Sequence, residues 1–182
     1  IDAARRALGD AFLRYVPGHP IAGSERSGPQ AADPDLFRDR RWLLCPLDTT
    51  PQQHCEAVKR LVEPTGAQVS TLDPALHDRV FAEASHWPHA VAFGLSAAIA
   101  GGDLAERALE YSGAGLRDTT RVGASSPTMW ADILLDNREA CLASAARFRA
   151  CNEAIVAALE AGDRDALVEI FSVASRWRSR LG

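Results

Sequence analysis

Arg41-Trp42-Leu43-Leu44-Cys45-Pro46, then Thr50-Pro51, then Gly66-Ala67-Gln68-Val69-Ser70, then Asp73-Pro74: this succession decides the fold. The first segment is a near-continuous apolar run between polar flanks, the pattern of a buried strand. Thr50 and Pro51 open a helix as cap and first-turn proline, and Val58, Leu61 and Val62 give it an apolar stripe. Residues 66–70 turn into a second short strand. Strand, helix, strand is the order of a parallel α/β sheet. From Asp73-Pro74 onward the pattern is helical only. The chain therefore reads as mainly α with an α/β remnant, divided into residues 1–72 and 73–182.

Upstream of that core, residues 1–8 read as a helix stopped at Gly9, and residues 11–16 as a short strand closed by Pro17-Gly18. A loop of Gly, Ser, Pro and Ala follows to Asp35. Three short strands are too few for a two-sided sheet, and Ile1 is neither an initiator Met nor part of a signal peptide. The chain is expected to begin inside a larger polypeptide.

Downstream, Asp73 caps and Pro74 opens a helix that runs towards Ala100, kinked or split at Pro88 and ended by Gly101-Gly102. Gly113-Ala114-Gly115 reads as a turn. Ser126-Pro127 opens a helix that, unbroken to Ala161, has about 35 residues and spans roughly 50 Å. A small monomeric domain cannot cover that length, so a partner chain is expected. Gly162 and Asp163 form a stop and a new cap. A last helix runs from 164 to about 180, with Leu167, Ile170, Phe171, Ala174 and Trp177 inward.

Composition narrows the function classes. Of 182 residues 47% are hydrophobic and 24% charged, enough to bury a core. The net charge of −4 argues against nucleic acid. No uninterrupted apolar stretch reaches the ~18 residues of a membrane span. Lys59 is the single lysine beside 19 arginines, each able to fork onto a carboxylate. Cys45, Cys55, Cys141 and Cys151 form no C-x-x-C pair, which suits free thiols in a reducing cytoplasm. No Gly-rich phosphate cradle and no G-x-S-x-G elbow is present.

Polar residues gather in three segments. Gly18-His19-Pro20-Ile21-Ala22-Gly23-Ser24-Glu25-Arg26-Ser27-Gly28 is read as a loop after a strand, where α/β sheets hold ligands. Ser85-His86-Trp87-Pro88-His89 lies at the proline break; its two histidines have no third metal ligand at a recognisable spacing, so no metal is expected. Arg117-Asp118-Thr119-Thr120-Arg121 offers arginines for a bidentate carboxylate clamp.

Taken with His77-Asp78 and Ser126-Pro127-Thr128-Met129-Trp130, these segments resemble, in order and over nearly the whole chain, the prephenate/arogenate (cyclohexadienyl) dehydrogenases of tyrosine biosynthesis. The resemblance implies the C-terminal part of a Rossmann-like dinucleotide-binding domain over 1–72, followed by an all-helical dimerisation domain over 73–182. It implies an NAD- or NADP-dependent oxidative decarboxylation of prephenate or arogenate by a cytoplasmic homodimer. The cofactor-binding residues are expected mostly upstream of Ile1, with the Gly-rich fingerprint and a substrate-side serine among what precedes it. That leaves this chain inactive by itself. By the same resemblance His19 is the catalytic histidine, and Arg121 and His89 bind substrate with Glu25, Ser85 and Trp130. Asp78, Arg117 and Asp118 join Glu25 in a charged network at the pocket mouth. The rival reading is a catalytically silent helical dimerisation or amino-acid-sensing module, which has no need of His19 and Arg121.

Overall fold

The computed structural model describes residues 1–23 and 28–181. The chain divides into two compact units, residues 1–81 and 82–182.

In the first unit, helix α1 (Asp2–Leu8) runs into a 3₁₀ helix, Gly9–Arg14. The strand expected over 11–16 is therefore absent. A short apolar run does not fix its own period, and here Phe12 and Tyr15, three apart, stack at 5.5 Å, the spacing a 3₁₀ turn brings onto one side. The Arg5 guanidinium lies 4.4 Å over the Phe12 ring. The strand comes later, as β1 (Gly18–Pro20), where a loop was expected. It pairs antiparallel with β2 (Arg41–Leu44), His19 opposite Leu43. Cys45 N–H to the Pro17 carbonyl and Ile21 N–H to the Arg41 carbonyl extend the ladder at both ends.

The β2–helix–β3 reading holds. Helix α2 (Gln52–Val62) leads to β3 (Gln68–Thr71), which pairs parallel with β2. The helix start differs in detail. Pro51 is itself the cap residue, and the Thr50 hydroxyl accepts from the Leu47 N–H. Helix α3 (Pro74–Phe81) follows, and the Asp73 carboxylate accepts from the Leu76 N–H as expected of a cap.

Every regular element among the described residues of the second unit is a helix. The break at Pro88 takes the form of a π-helical turn, Ala82–His86, ahead of α4 (Trp87–Ala100). Proline lacks an N–H and its ring crowds the carbonyl one turn back, so a widened turn relieves what a regular one cannot. Two short helices follow, α5 (Ala105–Glu110) and α6 (Ala114–Thr120). Gly113-Ala114-Gly115 thus opens a helix rather than making a turn, and Arg117 to Thr120 of the polar run are helical.

The expected 35-residue helix is two, α7 (Pro127–Asp136) and α8 (Arg138–Ala161). Asn137 leaves helical geometry at φ −110°, ψ 36°, and its side chain turns to His86. The break lies in that tertiary contact, not in a glycine or proline. Gly162, at φ 65°, ends α8 in the left-handed region that glycine occupies at little steric cost. Asp163 then caps α9 (Arg164–Arg178), accepting from the N–H groups of Asp165 and Ala166. Trp130, Cys141 and Ala145 are buried, while Phe148, Leu159, Phe171 and Trp177 stay exposed in the single chain.

Candidate active site

The first unit assembles a chain of three polar side chains. Strand β1 presents His19, and the capped start of α3 presents His77 and Asp78 one turn later. His19 Nδ1 lies 2.9 Å from His77 Nε2, and His77 Nδ1 lies 2.9 Å from Asp78 Oδ1. Phe81, one turn beyond His77, packs 4.7 Å from the His19 ring and 4.5 Å from the His77 ring. The Asp78 side chain is 61% exposed against 18% for His77. Cys45 follows β2. Burial pushes its thiol up, and the carboxylates of Asp78 and Asp73 push it further. It stays a neutral thiol near neutrality.

The second unit builds a group around the π-turn. The His89 ring stacks on Trp130 at 3.6 Å between centroids with an 18° tilt. His89 Nδ1 donates to the Ser85 carbonyl at 2.8 Å. A carbonyl only accepts, so Nδ1 carries the proton and Nε2 is left as the acceptor of the neutral ring. Ser85 thus contributes its backbone. His86 Nδ1 meets Asn137 Nδ2 at 3.0 Å, and the His86 ring stands edge-on to Trp130. Trp130 is only 8% exposed, and its indole N–H has no acceptor among the described residues.

The polar run lies in the same unit. Arg117 and Asp118 stand on α6, and Arg121 starts a 3₁₀ turn, Arg121–Ala124. All three are exposed and make no ion pair among the described residues. The 3₁₀ turn packs on α4, the helix that carries His89. Gly123 makes that approach possible: a Cβ there would stand 3.1 Å from the Ala92 carbonyl oxygen and 3.2 Å from Ser96 Oγ. Neither can yield cheaply, because Ala92 is 2% exposed and Ser96 Oγ already donates to the Ala92 carbonyl. Gly123→Ala is expected to destabilise the protein by about 1–3 kcal/mol, as overpacking does. Denaturant unfolding monitored by tryptophan fluorescence checks it; an unchanged midpoint refutes the tight contact.

Of the residues singled out in the sequence, His19 and Asp78 come together through His77. Ser85, His89 and Trp130 come together around the π-turn. Arg117, Asp118 and Arg121 share one short stretch. The two histidine groups belong to different compact units. Glu25 lies outside the described residues. Ile1, the point ahead of which cofactor-binding residues are expected, is not itself a member of either histidine group. It is exposed and caps α1 through its backbone, its carbonyl accepting from the Arg5 N–H. Two clefts of the helical unit, of about 230 and 390 Å³, are lined elsewhere, the larger by Trp87, Phe148, Arg147 and others; neither includes His89, Arg121 or Trp130. Sequence reasoning assigned no role to His77 or Asn137. The signal for His77 was its place beside Asp78 just after a helix cap; for Asn137 there was none.

Comparison with known proteins divides the chain between residues 71 and 73, ahead of the boundary between the compact units at 81/82. Residues 2–71 match the nucleotide-binding domain of prephenate dehydrogenase, and residues 73–173 match its dimerization domain. The chain is 35% identical over 168 residues to a cyclohexadienyl dehydrogenase of Zymomonas mobilis, covering 91% of this chain and 57% of that protein. It is 37% identical over 143 residues to a prephenate dehydrogenase of Bacillus subtilis, covering 78% of this chain and 38% of that one. Among solved structures it resembles prephenate dehydrogenase from A. aeolicus in complex with hydroxyphenyl propionate and NAD+, with a TM-score of 0.87 and 33% identity. That match covers 98% of this chain and 62% of the other. The Synechocystis arogenate dehydrogenase is similar at a TM-score of 0.82 and 26% identity, covering 98% and 64%. The chain thus spans less than two thirds of each of these proteins.

Proposed function

This chain belongs to the prephenate dehydrogenase family, and on that premise we propose that its parent protein oxidatively decarboxylates prephenate or arogenate. The observation that carries this reading is the His19–His77–Asp78 chain, which sets an imidazole up as a proton acceptor on the nucleotide-binding side. Residues 1–72 are its share of that nucleotide-binding domain and 73–182 its dimerisation and substrate domain. Substrate oxidation removes a hydride from C4 and a proton from the C4 hydroxyl. The C4–O bond gains carbonyl character, the ring carboxylate leaves as CO2, and its bonding pair completes the aromatic ring as the carbonyl π pair returns to oxygen, which takes up a proton to become the phenol.

The β2–α2–β3 crossover suits one side of a dinucleotide site, but the sequence contains no G-x-G-x-x-G to cradle the diphosphate. When bound, the nicotinamide of NAD or NADP takes the hydride. This chain's residues do the rest. His19 takes the hydroxyl proton, a task suited to a neutral imidazole near pH 7. Arg121 holds a substrate carboxylate in a two-point grip. His89 offers Nε2 as an acceptor, Trp130 keeps water from the ring, and Ser85 fixes His89. Arg117, Asp118, Asp78 and Glu25 are the charged side chains that the family resemblance assigns to substrate recognition.

The protein works as a homodimer in the cytoplasm. The outward apolar side chains of α8 and α9 are what a second copy would cover, and its cysteines, all four free, suit a reducing compartment. Among the described residues no helix is long and apolar enough to cross a membrane. The test is steady-state formation of reduced nicotinamide by the full-length parent, with prephenate and with arogenate, alongside sedimentation equilibrium. Turnover of either substrate by a dimer is expected. No turnover of either overturns the enzymatic reading, and a monomer at micromolar concentration overturns the dimer.

A further inference from the structure

His77 has been given no role of its own in the reaction, yet it is the residue that joins His19 to Asp78. The order of protons along the chain follows from the chemistry of its ends. An ionised carboxylate only accepts, so Asp78 takes a hydrogen bond from His77 Nδ1–H. A neutral imidazole carries one proton, so His77 Nε2 is then an acceptor. The group 2.9 Å from it, His19 Nδ1, must donate. With its own proton on Nδ1, His19 has its lone pair on Nε2.

We propose that His77 is a positioning residue that, anchored by Asp78, holds His19 in the Nδ1–H tautomer and so keeps Nε2 as the nitrogen that accepts the substrate proton. The inference rests on the reading of His19 as the base. Imidazole by itself favours the opposite tautomer, with the proton on Nε2, which could donate to the substrate hydroxyl but could not deprotonate it. The hydrogen bond at the second nitrogen reverses that preference, as such bonds do in other histidine sites. When His19 takes the hydroxyl proton at Nε2, the new positive charge lies one hydrogen bond from His77 and two from the Asp78 carboxylate. The proton moves from substrate oxygen to Nε2, the oxygen keeps the bonding pair, and no other group need change protonation. Phe81 packs against both rings and limits their rotation out of line.

The test reads tautomers directly from imidazole nitrogen chemical shifts in the isotope-labelled 182-residue chain, which requires no turnover. His19 is expected as the Nδ1–H form by about tenfold over the alternative in the unaltered chain. His77→Leu removes the acceptor and should bring the two forms to parity or invert them. His77→Gln places an amide oxygen about where Nε2 stood and should restore the Nδ1–H form. An Nε2–H tautomer of His19 in the unaltered chain overturns the proposal, whatever the variants do; so does a tautomer that His77→Leu leaves unchanged. Because the readout is spectroscopic, an inactive parent protein would sink the enzymatic reading and leave this result standing.

Discussion

His19→Asn in the full-length parent protein is expected to lower kcat by about two to four decades while KM for the substrate stays within a few-fold. The size of the effect follows from what asparagine keeps and loses. Its amide N–H₂ lies about where Nδ1 stood and can still donate to His77 Nε2, so the strand position and the contact with α3 survive. The side chain does not accept a proton at neutral pH. Proton removal then falls to water, and the contribution of a positioned base, about 3–5 kcal/mol of barrier, is lost from the transition state alone. Steady-state kinetics over a range of substrate concentrations measure it. An unchanged kcat with a raised KM would make His19 a binding residue.

Arg121→Ala acts on a different quantity. A carboxylate anchor is used in the ground state and the transition state alike, so its loss appears mainly in KM. Arg121 is exposed and free of ion pairs among the described residues, which leaves its fork available to a ligand. Losing a charged two-point hydrogen bond should reduce kcat/KM by roughly 10²–10³. Arg121→Lys keeps the charge without the fork and should fall between the two. A kcat/KM within about threefold of the unaltered enzyme in Arg121→Ala, on the same scale of reasoning, would remove the arginine from the substrate site.

The legible parts of the fold were those in which one local signal had no competitor. The apolar run 41–46 sits between polar flanks and Asp73-Pro74 is an unambiguous helix start, so β2 and α3 were plain. Residues 11–16 were not plain: this short, mostly apolar stretch satisfies a strand and a 3₁₀ turn equally well until Phe12 finds Tyr15. The segment 18–28, with His19 in it, reads as a loop after a strand. Proline is tolerated on an edge strand, however, and that is where the ladder of β1 places it. The break at Asn137 was invisible because asparagine is only mildly unfavourable in a helix, and its cause, His86, lies 51 residues away. The candidate site was legible where a residue lay in a motif that resembles the family's, as the proposed site residues His19 and Arg121 do. The role of His77 was not legible, because it depends on geometry between β1 and α3 that no local pattern encodes.

Leu159, Phe171 and Trp177, left uncovered on the last two helices, also bear on how much of this protein a cell must make. In the proposed homodimer a newly synthesised protomer would hold these side chains in water until it met another, and until then it would be open to chaperones and proteases. For a chain stabilised by self-association, mass action ties the folded fraction to abundance. Halving expression would therefore lower activity by more than half, since fewer copies are made and a smaller share of them persists. Gene dosage, and not catalytic power alone, would set the flux this protein sustains.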